Sequence, residues 1–357
     1  MPHLSPSPRR GALAALLITA PLLAPAAGHA AIIDDARCEA NRAAGQITYL
    51  TSFAYAASHG ILDVIAAKEK GFFEALCLDV VIQPGSTNTQ LVSAGTAQIA
   101  GIGGASDTLV AIDNGAEILG VATYGNVGAI ELLSMADSGI ETLADFEGKI
   151  IGYKGAIPPQ FNAMFLEAGV DPASIQWVSV GYDPVILPNG QVQGLAAYKS
   201  NEPEALRQQG HAVREWDPDH FGIHSTFNTQ VANSTFAAEH PTAVEDFLRA
   251  SFHAYDWMLA EEKNLDQALQ WAADLSTAGY DIPMSRTRFL IEARLVSESQ
   301  PEGTGLGWQS EAQWAPEAEM LTRFGLVRRA PDIAAAMTPA FVEAIRAADG
   351  SLIWPGE

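Results

Sequence analysis

Leu143-Ala144-Asp145-Phe146-Glu147-Gly148-Lys149-Ile150-Ile151-Gly152-Tyr153 reads as a helix-like turn, a glycine break and an apolar strand. It restarts a strand–helix alternation that has already run once. Upstream, Ile47-Thr48-Tyr49-Leu50-Thr51 has strand composition, and a helix is predicted over His59–Phe73, its regular part ending at Gly71. Leu78–Gln83, Ile99–Ile102 and Ile118–Tyr124 read as strands, with helices over Thr87–Ala94 and Ser106–Asn114 between them. Downstream come a helix around Pro159–Ala168, a strand at Ile175–Val180, a turn and helix near Pro184–Gly190, a strand at Gly194–Tyr198 and a helix at Pro203–Gln209. Such alternation predicts mainly parallel sheets flanked by helices. Beyond Pro241 the pattern is nearly all helical: 242–261, 265–275, 285–296, 310–324 and 339–348. The expected fold is α/β in two lobes, residues 46–125 with 235–345 forming one and 126–234 the other. Ligands of open α/β sheets sit beyond the carboxyl ends of the strands, so the site is expected between the lobes.

The N-terminus reads as an export signal: Arg9-Arg10, an uncharged stretch over 11–27, and small residues through Ala30. The cut is placed after Ala30, with Ala31 an alternative, and no cysteine follows for a lipid anchor. Pro21 and Pro25 interrupt the apolar run, which falls short of the roughly 20 residues that span a bilayer. The Arg pair permits twin-arginine as well as general export. Forty-two acidic against 20 basic residues give a net charge of −22, which disfavours nucleic acid and anionic lipid as partners. Cys38 and Cys77 are the two cysteines. In an oxidising compartment they are expected to pair, although Cys77 in its apolar run also suits a buried thiol.

Several segments resemble a known family. Asp145-Phe146-Glu147-Gly148-Lys149-Ile150-Ile151-Gly152 is similar to the segment that opens the second lobe of type II periplasmic binding proteins. His59-Gly60, Lys70-Gly71-Phe72-Phe73, Gly85-Ser86-Thr87-Asn88, Val180-Gly181-Tyr182-Asp183-Pro184, Gly190-Gln191-Val192-Gln193, Tyr198-x-x-Asn201-Glu202-Pro203, Glu239-His240-Pro241, Gly307-Trp308 and Gly325-Leu326 narrow the likeness. Together, from about Ile47 to Leu326, they resemble the receptors for sulfonates, nitrate, thiamine pyrimidine precursors and riboflavin, and the related fungal thiamine-pyrimidine synthases. The resemblance implies an extracytoplasmic substrate-binding protein of an ABC importer, monomeric, with a membrane permease as partner and no cofactor. The Tyr-Asn-Glu-Pro stretch points to the branch that takes flat heteroaromatic ligands; an alkylsulfonate, taurine or nitrate is the alternative.

Candidate ligand residues follow from position. Glu202 suits acceptance of ring N–H groups, or equally a first-turn acid favoured by the helix dipole. Asn201 can cap that helix or touch the ligand. Tyr124 and Tyr198 end strands and can stack on a ring; Phe53, Tyr55 and Tyr182 are further candidates. His59 precedes a helix and serves as a ligand contact or a structural histidine. Ser86, Thr87 and Asn88 open a helix after Pro84-Gly85, and Ser106 follows the small-residue turn Gly103-Gly104-Ala105. Lys154 is the one basic residue placed near the mouth. The late tryptophans, at 257, 271, 308, 314 and 354, are assigned to packing.

The competing class is an enzyme. Fungal thiamine-pyrimidine synthases, as the resemblance implies them, use pyridoxal phosphate on a lysine, a donor histidine and a cysteine-rich motif. His59 matches the histidine, but two lone cysteines make no such motif, and no Ser/His/Asp, HExxH or CxxC pattern occurs. The expectation is a receptor without catalytic residues or metal.

Overall fold

A computed structural model describes residues 32–85, 87–276 and 279–356. The export signal expected over residues 1–30 and the candidate Ser86 lie outside them. Among the described residues no helix is long and apolar enough to cross a membrane.

The chain builds α1 (Asp35–Ala43), β1 (Gln46–Thr51), α2 (Leu62–Glu69), α3 (Phe72–Ala75), β2 (Asp79–Pro84), α4 (Asn88–Ser93), β3 (Ile99–Ile102), α5 (Ala105–Asp113) and β4 (Ile118–Gly125). It then crosses into β5 (Ile130–Met135), β6 (Ile150–Tyr153), α6 (Pro159–Glu167), β7 (Gln176–Ser179), β8 (Gly194–Tyr198), α7 (Glu202–Gln208) and β9 (Val213–Trp216). After it come β10 (Phe227–Asn233), α8 (Ser234–Glu239), α9 (Pro241–Ala260), α10 (Glu262–Leu275), α11 (Ile282–Ser299), α12 (Glu311–Arg323), α13 (Ile333–Ala336) and α14 (Ala340–Glu343).

Two five-stranded sheets result, in the orders β2-β1-β3-β10-β4 and β7-β6-β8-β5-β9. β1 pairs in parallel with β2 and β3, and β6 with β7 and β8, as the alternation predicts. β10 runs antiparallel between β3 and β4, and β5 antiparallel to β8 and β9. The return to the first sheet therefore falls before Phe227, earlier than the boundary at 234 read from sequence. Every residue of β10 is buried although most are polar, so no alternation marks it as a strand. The helix predicted from His59 is shorter at both ends. Gly71 sits at φ +73, a left-handed conformation that costs glycine little, and α3 starts anew after it.

The first lobe's core is dense in apolar side chains from α2, α9 and α10 around Phe73, Phe247 and Phe252. The second lobe's core gathers Phe146, Phe161, Phe165 and Trp216, and also draws in Leu109 of α5 and Trp314 and Leu321 of α12. A common apolar cluster thus spans the lobes. Trp314 is fully buried and approaches β4 where Gly120 leaves room: a β-carbon there would lie 2.6 Å from its ring. Cys38 and Cys77 are bonded, joining α1 to the turn before β2. Arg37 Nε and Asn41 Nδ2 each donate to Asp246 Oδ2 at 2.7 Å, fastening α1 to α9 as well.

Candidate functional site

The carboxyl ends of β1 and β3 present Ser52 and Gly101-Ile102-Gly103, and the turn into α4 adds Thr87 to Gln90. Across from them stands Tyr198, the last residue of β8 in the other lobe. Together these residues line a cavity of about 250 Å³ between the two sheets. The lining carries no formal charge. Asn88 is a brace here: its amide Nδ2 donates to Thr51 O and to Gly101 O, both at 2.9 Å, tying α4 to the ends of two strands. Neither Thr87 nor Asn88 caps α4 through its side chain.

Tyr198 keeps 45% of its surface exposed and lines the cavity from the second lobe. Glu202 does not share that exposure. It is 2% exposed, with Oε2 accepting the Tyr198 N–H at 2.8 Å and Oε1 paired with Lys154 Nζ. Both carboxylate oxygens are engaged inside the second lobe, so Glu202 holds the Tyr198 backbone rather than waiting for ring N–H groups. Lys154 is consumed by the same pair. Asn201 leaves α7 uncapped, and its Oδ1 instead accepts from Arg288 of α11.

A different carboxylate faces the cleft. Asp107, in the first turn of α5, lies over Gly103 in space that a β-carbon would fill, its Oδ2 2.0 Å from that point. Its side chain keeps solvent contact, yet enclosure by protein and, second, the Glu317 charge push its acid up to about 6. Ser106 is fully buried and points away from the cleft to Glu317 of α12. Glu317 accepts from the Ser106 N–H at 2.8 Å and from the Ser106 hydroxyl, and takes the Thr226 N–H and hydroxyl at 2.7 Å each. The start of α5, where a helix attracts anions, is therefore filled by the protein's own carboxylate. Burial raises that acid despite its hydrogen bonds.

The lobes also touch directly. Phe53 and Tyr182 meet edge to face with centroids 4.8 Å apart, one ring from each lobe. Glu292 of α11, nearly fully buried, accepts from Ser58 Oγ at 2.6 Å and the His59 N–H at 3.1 Å in its own lobe, and from Ser200 Oγ at 2.8 Å in the other. Burial alone would raise its acid; hydrogen bonds from His59, Ser58 and Ser200 hold it below the ordinary carboxylate range.

His59 is fully buried, stacked on Phe289 at 4.9 Å, with Nδ1 3.1 Å from Glu292 Oε2 and Nε2 3.1 Å from the Tyr255 hydroxyl. It is a structural histidine that supports the lobe contact. Tyr124 is buried too and donates to Asp63 Oδ2 at 2.5 Å, so it cannot stack on a ligand; Tyr55 packs against the first lobe's core. Among the sequence candidates, the structure brings Thr87, Asn88 and Tyr198 to the cavity and Phe53 and Tyr182 together across the lobes. Asp107, Arg288, Glu292 and Glu317 were missed. For Glu292 and Glu317 a signal existed: each is an acid within an apolar helical stripe, Phe289-x-x-Glu292-Ala293-x-x-Val296 and Trp314-x-x-Glu317-Ala318-x-x-Leu321. Among the described residues no cluster of His, Cys, Asp or Glu could hold a metal ion.

The model of the family described as NMT1/THI5 like matches residues 59–264. No curated protein matches the chain. Among solved structures it is similar to the alkanesulfonate-binding protein SsuA from Xanthomonas axonopodis pv. citri bound to MOPS, at 17% identity and TM-score 0.61, covering 82% of this chain and 98% of that one. It is similar to a Candida albicans protein with the generic periplasmic binding protein fold, at 14% identity and TM-score 0.56, covering 87% and 98%. The desulfurization enzyme DSZB is also similar, at 13% identity and TM-score 0.54, covering 84% and 98%. At these identities the likeness shows the fold, which is the two-lobe periplasmic binding protein fold.

Proposed function

The chain belongs to the NMT1/THI5-like family, and from that premise we propose that it is an extracytoplasmic solute-binding protein of an ABC importer whose cargo is a small, flat heteroaromatic such as a thiamine pyrimidine precursor or riboflavin. The observation that carries this reading is the inter-lobe cavity, with Tyr198 on one wall and uncharged strand-end and helix-start groups on the other. A ring stacks on Tyr198, a contact worth roughly 0.5–1.5 kcal/mol beyond burial. Asp107 accepts its N–H groups, the role that sequence gave to Glu202. Closure of the lobes over the cargo supplies burial, and the closed form docks on a permease. Micromolar capture requires about 8 kcal/mol, within reach of one stacked ring, a few hydrogen bonds and an enclosed apolar face. Uncharged lining, a net charge of −22 and a helix start already filled by Glu317 all work against an anion.

One observation favours the alternative, an alkylsulfonate. Arg288 reaches Asn201 at the lobe contact, and its buried Nε has no hydrogen-bond partner among the described residues. The SsuA proteins, which share the fold, carry sulfonate ligands by name. A thermal-shift screen of the purified protein separates the two. Saturation at 100 times the dissociation constant adds about 2.7 kcal/mol. A shift with an aminopyrimidine or riboflavin, and none with taurine, an alkylsulfonate or nitrate, is the expected result. A shift only with sulfonate or nitrate sinks the heteroaromatic reading and keeps the receptor. No shift with any of them counts against both.

A further inference from the structure

The first lobe holds a second, larger cavity of about 410 Å³ that shares no residue with the cleft. Tyr255, Asp256 and Leu259 of α9 form one wall and Ala293, Arg294, Val296 and Ser297 of α11 another; Gln300, Gly305, Leu306 and Arg346 close it. No residue of the second lobe contributes. A volume of this size suits a small organic molecule.

Arg346 is fixed in place. Nη2 donates to Leu306 O at 2.7 Å, Nη1 to Gly350 O at 3.2 Å, and the guanidinium lies over the Phe252 ring at 5.3 Å. Gly305 leaves space for it: a β-carbon there would fall 2.5 Å from Cζ. Its Nε is buried without a hydrogen-bond partner, and no acid pairs with it within 4.0 Å among the described residues. Holding a guanidinium half-buried with a spare donor and no counter-ion is costly unless something accepts from it. Asp256 lines the same cavity and likewise forms no ion pair among the described residues. Burial raises its acid, and the charge of Arg346 opposes that, so the two feel each other across the space without touching. Leu259, Val296 and Leu306 supply apolar lining to the same cavity, and Arg294 adds a second cation to it.

We propose that this cavity is a binding site for a small zwitterion of the α-amino-acid class with an apolar side chain. The ligand carboxylate takes Arg346, its ammonium takes Asp256, and the side chain covers Leu259, Val296 and Leu306. Charge-assisted contacts at two poles distinguish such a ligand from a plain acid or amine. The proposal is independent of the cargo in the cleft.

Titration calorimetry of the purified protein with leucine and phenylalanine tests it, with leucinamide and 4-methylpentanoate as analogues lacking one charge. Binding of an amino acid is expected, each analogue weaker by about tenfold or more, the cost of one lost charge-assisted contact. Arg346→Gln and Asp256→Asn should weaken it similarly. Because Arg346 also holds two carbonyls, the decisive variant is Ser297→Phe at an exposed position of the wall, which should fill the cavity and abolish binding while the melting temperature holds. Tyr198→Ala, in the cleft, should leave amino-acid binding intact. Absence of binding by the unmodified protein overturns the proposal. So does binding that survives Ser297→Phe, and binding that Tyr198→Ala destroys, which would move the amino acid to the cleft.

Discussion

Two acids near Tyr198 have opposite fates. Glu202 is neutralised by Lys154 and used up on a backbone N–H, whereas Asp107 keeps a carboxylate at the cleft. Sequence favours Glu202 because it follows a strand end in a familiar motif, while Asp107 is read as part of an ordinary helix start. If Asp107 accepts from cargo N–H groups it must be ionised, and its acid sits at about 6. Cargo affinity should then fall as pH drops from 7.5 to 5, measured by calorimetry in one buffer series. Asp107→Asn should weaken binding by about 1.5–3 kcal/mol at neutral pH, the range for a hydrogen bond to a charged group, and remove the pH dependence. An unchanged pH profile in the variant would exclude Asp107 as the acceptor. Tyr198 was legible because a strand-ending aromatic at the sheet's carboxyl edge has few other tasks. Tyr124 fits the same rule and fails it, since its hydroxyl finds Asp63 inside the lobe and the ring follows.

At the scale of elements, the parallel strands were legible from β-rich runs between glycine turns, and helices α9 to α12 from their apolar stripes. β10 and β5 were not. β10 is wholly buried but carries Asn228, Thr229, Gln230 and Asn233, so composition says loop where position says sheet centre. The reach of α11 to the lobe contact and of α12 to the start of α5 was hidden too, because Glu292 and Glu317 meet partners more than 90 residues away in sequence. α1 illustrates a covalent solution. It is short, and three devices hold it: the Cys38–Cys77 bond, the Arg37 and Asn41 contacts to Asp246, and the Asp34 cap on the Arg37 N–H at 2.8 Å. With a sequence separation of 39, opening the disulfide should cost about 4 kcal/mol in the chain-entropy picture. Cys38→Ser with Cys77→Ser should therefore lower the urea midpoint and raise the slope, because the freed unfolded chain exposes more surface. A midpoint equal to that of the oxidised protein would mean that the Asp246 contacts alone secure α1.

For the whole molecule, buried acids set the pH of greatest stability. Burial pushes Asp63 up to about 6; burial, then Glu215, pushes Glu131 up to about 8. Each binds a proton more readily folded than unfolded, so its contribution is fully present below its unfolded pKa and is lost as pH rises through about 6 and about 8. Glu292 behaves in the opposite sense: held below its ordinary value, it stabilises above 4.5 and loses that as pH falls further. The melting temperature should peak at about pH 4 to 4.5 and decline on both sides. A scan that rises steadily to pH 8 would contradict the raised values for Asp63 and Glu131. The placement of β10 has a further consequence, for the order of events in time. Among the described residues β10 lies between β3 and β4 in the sheet, and the chain delivers it after the whole second lobe. The second lobe is one unbroken stretch and can complete its sheet alone; the first must wait with its centre open until that stretch has been threaded past. Pulse-labelled hydrogen exchange during refolding should therefore protect β6 and β8 before β3 and β4, because long-range pairings close late. A chain exported unfolded would spend that interval with its first lobe unfinished, which makes the second lobe the pacemaker of the first one's maturation.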